Sequence, residues 1–356
     1  MSEELDIIAA TVGRLFSDLA EPQAIALDPD GDWRQCLWQA LEDAGIPTAW
    51  APEAAGGAGL DAVAVGRIAR IAGGHAVAVP LIETMLANRW TGLAGLDLTP
   101  GMVAFAPTRP GETISIDGDG RLNGVAKEIP LTEDGATAIV LAEGPSGDLA
   151  VARLDVTEHI KASRRDYAGD RRVRVRFDNA EPDAMGRLSH GRAFDGVMAG
   201  ATLRACQMAG ALAATLGHTV DYAGDRSAFG RPIAKFQAIQ HHLATFAGET
   251  AAASVVADNA VANLGQDDER AFFTTACAKV RTGEAAYEGA RIAHQVFGAI
   301  GYTGEHLLHR YTQRLWAWRD DFGTESEWAA LLGHSMAAAG ADAHWAALTA
   351  GVVAAA

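Results

Sequence analysis

The sequence predicts a mainly α-helical fold with a small β domain in its middle. Two textures point to it: apolar residues recur at helical spacing towards both ends, while short apolar runs separated by Gly, Pro and Asp turns fill the centre. The length of 356 residues exceeds one typical core and suits two or three closely packed units.

Residues 1–98 read as an N-terminal helical domain. Leu5, Ile8, Val12, Leu15 and Phe16 follow helical spacing, and Trp33, Leu37, Leu41 and Ile46 repeat it. The stretch APEAAGGAGL at 51–60 breaks the pattern, which resumes at Asp61. Residues 99–186 read as a middle β domain, a small barrel or sandwich. Its strand signals are MVAFA, TISID, AIVLA, LAVARLDV and RRVRVRF, with GDGRLNG as a connection between two strands and the β text ending near Asp183. Residues 187–356 read as a C-terminal helical bundle. Four amphipathic stretches, Phe194 to Arg226, Phe236 to Leu264, Asp268 to Gly298 and Ser326 to Leu348, are joined by short loops, which argues for antiparallel packing.

The formal charge of −16 repels phosphate backbones and anionic lipid heads, so neither nucleic acid nor bare membrane is an expected partner. An anionic ligand would need local basic groups to override that field. Cys36, Cys206 and Cys277 are far apart in apolar helical text and read as buried free thiols in a reducing compartment. No signal peptide shows in Met1 to Ala10 and no apolar span suits a membrane, so a cytoplasmic address is expected.

Two segments carry chemistry. In RSAFGRPIAKFQAIQ, Arg226 and Arg231 bracket AFG between two helices, where a guanidinium can meet a diphosphate bidentately. In AHQVFGAIGYTGEHLLHR, Gln295, Gly298 and Gly301 lie at a tight helix end where backbone N–H groups can approach a phosphate or an adenine. The plainer alternative pairs Arg226 with Asp221 or Asp225 and leaves the glycines to shape a turn.

These segments resemble the paired C-terminal signatures of acyl-CoA dehydrogenases, R-x-x-F-G-R/K-P-I-x-x-F-Q followed by Q-x-x-G-x-x-G-Y/F-T-x-E. PEAAGGAGL resembles the family's PEEYGGxGL loop, and NGVAKEIPLTEDGATAIVLA resembles its β-domain hairpin. The likeness covers nearly the whole chain in the family's order. It implies FAD as cofactor, with Arg226, Phe229, Gln237, Gln295, Gly298, Gly301 and Thr324 as cofactor-binding residues. It also implies a dimer or tetramer, homo- or hetero-oligomeric, because the family's flavin site spans two chains.

The sequence departs from the family twice. The flavin-holding T/S-E-P-x-x-G-S-D loop is replaced by AFAPTRPG at 104–111, and the flavin-contacting Trp-x-S/T element by IPLTEDG, with Thr132 the nearby hydroxyl. The catalytic Glu before Gly-Thr is replaced by Phe322 in DDFGTESEW, and the minority position for that base falls on Gly200. The leading reading is FAD-dependent α,β-dehydrogenation of an acyl-CoA thioester in fatty acid or lipid β-oxidation, with electrons passed to an electron-transfer flavoprotein. In it Asp321, or secondly Glu325, serves as the base against the α carbon. A second reading is a non-catalytic subunit of a hetero-oligomeric acyl-CoA dehydrogenase that completes a partner's FAD site. A third is a flavin-dependent monooxygenase on the same fold. The plain alternative for Asp320, Asp321, Glu325 and Glu327 is a solvated acidic turn around Trp328. His241, His242, Glu305 and His309 read as ordinary helix residues rather than metal ligands. Trp316 and Trp318 read as pocket lining or packing. Arg164, Arg165, Arg171, Arg172, Arg174 and Arg176 read as a solvated strand face or a CoA phosphate contact.

Overall fold

In the computed structural model, residues 2–28, 31–131, 136–265 and 268–352 are described, with side chains from residue 6 onward. Helices α1 (Ser2–Leu19), α2 (Pro22–Leu27), α3 (Trp33–Asp43), α4 (Ala62–Gly74) and α5 (Leu81–Leu93) come first. Local chemistry sets their ends: Gly45 (φ 67°) follows α3, and the Asp61 carboxylate accepts from Ala64 N at 2.8 Å to cap α4.

Strands β1 (Ala104–Ala106), β2 (Ile114–Ile116), β3 (Leu122–Pro130), β4 (Thr137–Glu143), β5 (Leu149–Asp155), β6 (Ile160–Arg165), β7 (Arg171–Ala180) and β8 (Ala184–Leu188) form one eight-stranded mixed sheet. Its order is β6-β7-β3-β2-β4-β5-β8, with β1 lying parallel to β4. In GDGRLNG only the first half is the turn, where Asp117 Oδ1 accepts from Asp119 N and Arg121 N at 2.9 Å; the second half belongs to β3. Strands β6 and β8 go beyond the sequence reading, because β6 is almost wholly exposed and carries no apolar alternation. Strand β4 reads as a continuous apolar run for a physical reason. Ala138, Val140 and Ala142 face the sheet's own core, whereas Ile139 and Leu141 join the helical core.

The bundle follows: α6 (Ala193–Asp225), the hairpin β9 (Ser227–Ala228) and β10 (Arg231–Pro232), α7 (Gln237–Asn263), α8 (Asp268–Phe297), α9 (Leu308–Asp320), α10 (Glu325–Ala339) and α11 (His344–Ala350). The stretch expected as one helix over Ser326 to Leu348 is two, because Gly340 (φ 83°) ends α10. Helix α9 is an addition to the four expected. It buries Leu308, Tyr311, Leu315 and Trp318 at helical spacing.

Helices α4 and α6 cross backbone to backbone. A Cβ on Gly73 would overlap the Gln207 carbonyl, and one on Gly210 would overlap the Arg70 carbonyl. Gly210→Ala is therefore expected to destabilise the chain by about 1–3 kcal/mol in urea unfolding through overpacking. Gly217→Ala on the exposed face of the same helix, where nothing lies within 4 Å, should be neutral or slightly stabilising. Equal effects would show that the crossing does not constrain the fold.

Candidate functional site

At one end of the bundle, the hairpin between α6 and α7 closes through Ile233 N donating to Arg226 O at 2.8 Å. Its two-residue turn is Phe229 (φ 52°) and Gly230 (φ 80°), both left-handed as in a type I′ turn. Glycine takes that conformation freely, but phenylalanine gives up about 1–2 kcal/mol to do so. Phe229 is nevertheless 97% exposed. It meets Phe236 edge-on at 6.2 Å, and the Arg231 guanidinium lies 4.4 Å above the Phe236 ring. Arg226 and Gln237 are exposed, and Arg226 makes no ion pair with Asp221, Asp225 or any other described residue. Arg226, Arg231, Lys235 and the N-terminus of α7 form a positive end on a strongly acidic chain.

The glycine segment lies beside it. Gly298 (φ 65°) ends α8, and Gly301 is buried, where a Cβ would stand 2.8 Å from Leu308 Cδ2 and 3.0 Å from Phe297 Cβ. The Tyr222 ring stacks on Phe297 at 4.3 Å and its hydroxyl donates to Phe297 O at 3.3 Å, joining the ends of α6 and α8. Gln295 is exposed on the last turn of α8. The structure thus brings Arg226, Phe229, Gln237, Gln295, Gly298 and Gly301 to one end of the bundle.

Asp321, Glu325 and Thr324 lie elsewhere, in the seam between sheet and bundle. One Asp321 oxygen is 2.9 Å from Arg172 Nη1 of β7, and the other is 3.0 Å from Arg204 Nη2 of α6. Arg204 also pairs with Glu83 of α5, and Arg172 Nε bonds Asp166 at 2.8 Å. Lys279 Nζ of α8 donates to the carbonyls of Asp321 at 2.7 Å and Arg319 at 3.0 Å. Burial pushes Lys279 down to about 8, against the pull of Asp321. Burial would also lower Arg172, but Asp321, Asp166 and Asp170 outweigh it and hold its proton more tightly. Glu325 is paired with Arg319 at 2.7 Å. Thr324 caps α10, accepting from Glu327 N at 3.2 Å, while Glu327 also bonds Arg109 at 3.2 Å. The acidic turn around Trp328 is therefore only partly solvated: Asp321 is buried between arginines, Glu325 and Glu327 are paired but half-exposed, and Trp328 is fully buried.

Phe322 (φ 54°) is 2% exposed, and its ring lies against Gly200, where any Cβ would overlap it. Between the 104–111 loop and the acidic turn remains a cavity of about 20 Å³, lined by Arg109, Asp166, Arg172, Asp320 and Asp321 among others. That is room for about one water. Thr132 lies outside the described residues.

The arginine run divides. Arg172 turns inward, Arg164 pairs with Glu128, and Arg174 and Arg176 are exposed. Trp318 is buried under Arg204, whereas Trp316 lies over His294 at 6.0 Å. His309 Nδ1 faces the His306 carbonyl at 2.6 Å. Cys36 is exposed, against expectation, because it falls on the outer face of α3; Cys206 is buried. Sequence reasoning missed Glu83, Arg204 and Lys279. Their signal is a lone charge inside apolar helical text, as in LIETMLA and ATLRACQMAG.

A helical bundle carrying an inserted mixed sheet, with a basic, glycine-lined end, defines an acyl-CoA dehydrogenase type of oxidoreductase fold. Residues 184–324 match the family model for the acyl-CoA dehydrogenase C-terminal domain. The chain is 26% identical over 317 residues to acyl-CoA dehydrogenase IpdE2 of Mycolicibacterium smegmatis, covering 88% of this chain and 93% of that protein. It is 28% identical to IpdE2 of Mycobacterium tuberculosis, covering 88% and 91%. It superposes on a variant of the Tcur3481-Tcur3483 steroid ACAD with a TM-score of 0.81 at 25% identity, covering 95% of this chain and 98% of that one. The ChsE4-ChsE5 complex of Mycobacterium tuberculosis, at 21% identity and TM-score 0.81 over 95% and 98%, shares the fold. The chain is thus similar along most of its length to acyl-CoA dehydrogenases, and residues 184–324 match the family's C-terminal domain.

Two predictions follow from the seam and from the glycine segment. Asp321→Asn leaves Arg172 and Arg204 short of a buried counter-charge and should cost about 3–5 kcal/mol in urea unfolding; a loss below 1 kcal/mol would contradict the geometry. His294 is buried, its Nε2 lies 3.0 Å from Thr312 Oγ1, and burial lowers its pKa from 6.5. The unfolded chain then binds the extra proton first, so stability should fall as pH drops below 6.5. His294→Phe, which keeps the stack with Tyr302, should flatten that fall.

Proposed function

We propose that this chain is a non-catalytic subunit of a hetero-oligomeric acyl-CoA dehydrogenase, completing the FAD site of a catalytic partner. The contact of Phe322 with Gly200 carries the reading. The two positions from which family members present a carboxylate to the substrate α carbon meet in space, and here one is an aromatic ring and the other lacks a side chain. Asp321 is no substitute, since both its oxygens are engaged by buried arginines. A general base must reach the proton it removes and be free to accept it.

The cofactor reading divides in the same way. FAD, where bound in such enzymes, accepts the hydride leaving the substrate β carbon. The family's flavin-holding loop is replaced by AFAPTRPG at 104–111, which lacks the acid and the Gly-Ser-Asp that hold the ring, so this chain's own β domain is poorly equipped for it. The end formed by Arg226, Arg231, Gln237, Gln295, Gly298 and Gly301 does fit a dinucleotide's diphosphate. The guanidiniums supply charge-assisted bonds there, and the helix ends supply N–H groups. Phe229, strained and exposed, would bury its ring against the partner or the adenosine end. The expected substrate is an acyl-CoA thioester bound by the partner, with an electron-transfer flavoprotein as acceptor, in lipid β-oxidation.

The visible spectrum decides. The purified chain alone should be colourless with or without added FAD, and should gain flavin at one per pair when combined with a paralogous catalytic chain. Yellow protein alone, bleached by an acyl-CoA, would overturn the proposal in favour of a self-sufficient enzyme. Phe229→Ala should leave the isolated chain as stable or more so, while lowering flavin retention of the pair by about tenfold or more, read as FAD released on gel filtration.

A further inference from the structure

A second surface lies away from that end, where α7, α8 and α10 meet. Between these helices opens a groove of about 610 Å³, lined by Val256 of α7, Cys277 and Val280 of α8, and Leu332, Met336 and Ala337 of α10 among others. Arg281 and His344 also line it. Arg281 is already held by Glu249 and, at 3.2 Å, by Glu284, so the lining calls for an apolar occupant rather than an anion.

The residue after His344 begins a knob. Helix α11 follows the turn at Gly340, and its inner face is seated: Ala347 packs on the main core, and a Cβ on Gly351 would stand 3.8 Å from Phe273 of α8. Trp345 and Leu348, one helical turn apart, face the other way and are 76% and 54% exposed. Val255, next to the groove residue Val256, is 67% exposed. An apolar knob and an apolar hole therefore stand side by side. A net charge of −16 keeps two copies apart wherever that charge is dense, but this surface carries little of it. A surface that holds both halves of a fit is complementary to itself, and its closed arrangement is a two-fold dimer.

We propose that two copies of this chain meet here about a two-fold axis, with Trp345 and Leu348 of each seated in the groove of the other. Tryptophan anchors such contacts through its large flat apolar area, and one buried ring removes about 150–250 Å² from water. Each contact occurs twice across the axis. With Leu348, Val255 and the walls of both grooves, the surface approaches the about 800 Å² per partner of a stable dimer. Val256 lies 19 residues along α7 from Gln237, which is about 28 Å from the hairpin end at the helical rise. Both surfaces can be covered at once, and this contact is independent of the subunit reading.

Sedimentation velocity of the purified full-length chain tests it. The wild-type chain should dimerise reversibly as its concentration rises to about 100 μM. Trp345→Ala and, on the groove side, Ala337→Glu should each weaken the dimer by about tenfold or more. Both positions are exposed, so the melting temperature at monomeric concentrations should not change. A mixture of the two variants should associate more tightly than either alone, because the intact Trp345 of one meets the intact groove of the other. Phe229→Ala should leave the dimer as it is. A chain that stays monomeric at about 100 μM would overturn the proposal; anilinonaphthalene sulfonate fluorescence lost in Ala337→Glu would then assign the groove to a small apolar ligand. A mixture no tighter than its components would overturn it equally. A lower melting temperature in monomeric Trp345→Ala would do the same, by placing the ring in its own chain's groove. A dimer lost in Phe229→Ala but kept in Trp345→Ala would move the contact to the hairpin end and end the proposal.

Discussion

The Asp321 carboxylate is the interaction on which the rest of the seam depends. It is buried between Arg172 of the sheet and Arg204 of the longest helix, while Lys279 holds its backbone carbonyl from a third element. Each of these charges alone would be too costly to bury. Together they form a closed set with Glu83 and Asp166, so removing any member leaves an uncompensated ion. The set also fixes the turn that follows, in which Phe322 takes a left-handed conformation, and Trp328 Nε1 donates to the Phe322 carbonyl at 2.8 Å. A network of this kind ties sheet and bundle together across the seam.

The two ends of the molecule therefore differ in kind. In the seam, the buried carboxylates and cations pair with one another within the chain, although Arg172 Nη1 and Arg204 Nε have no hydrogen-bond partner among the described residues. At the hairpin end, Arg226 and Phe229 are exposed, and Arg226 makes no ion pair with any described residue. On the proposed subunit reading, this contrast is how a chain can lose its own chemistry and still be required for a neighbour's. Of the glycines there, Gly301 is held by packing, with no room for a side chain between Leu308 and Phe297, whereas Gly298 has open space and serves through its positive φ.

Much of the fold was legible in the sequence because its signals are periodic. The ends of α6, α7 and α8 fall within a residue of the helical stretches read from apolar spacing, and β4, β5 and β7 appear where alternating or continuous apolar runs predicted them. Strand β6 was illegible because it is an exposed edge, and the break at Gly340 was hidden by alanine on both sides. The candidate site was half legible. Motif spacing brought out Arg226, Phe229 and the glycines, whose role depends on local backbone. The environment of Asp321 was hidden, because its partners Lys279, Arg204 and Arg172 lie 42, 117 and 149 residues away and show in the sequence only as single charges. No local pattern encodes that convergence.

The Phe229 turn has a consequence for the chain outside its assembly. An exposed ring held in a strained conformation is a hydrophobic handle, of the sort that chaperones and proteases recognise on unassembled proteins. A subunit made in excess of its partner would display that handle continuously, whereas a paired one would conceal it. On the proposed subunit reading, matched synthesis of the two chains is then a condition of solubility as well as of activity.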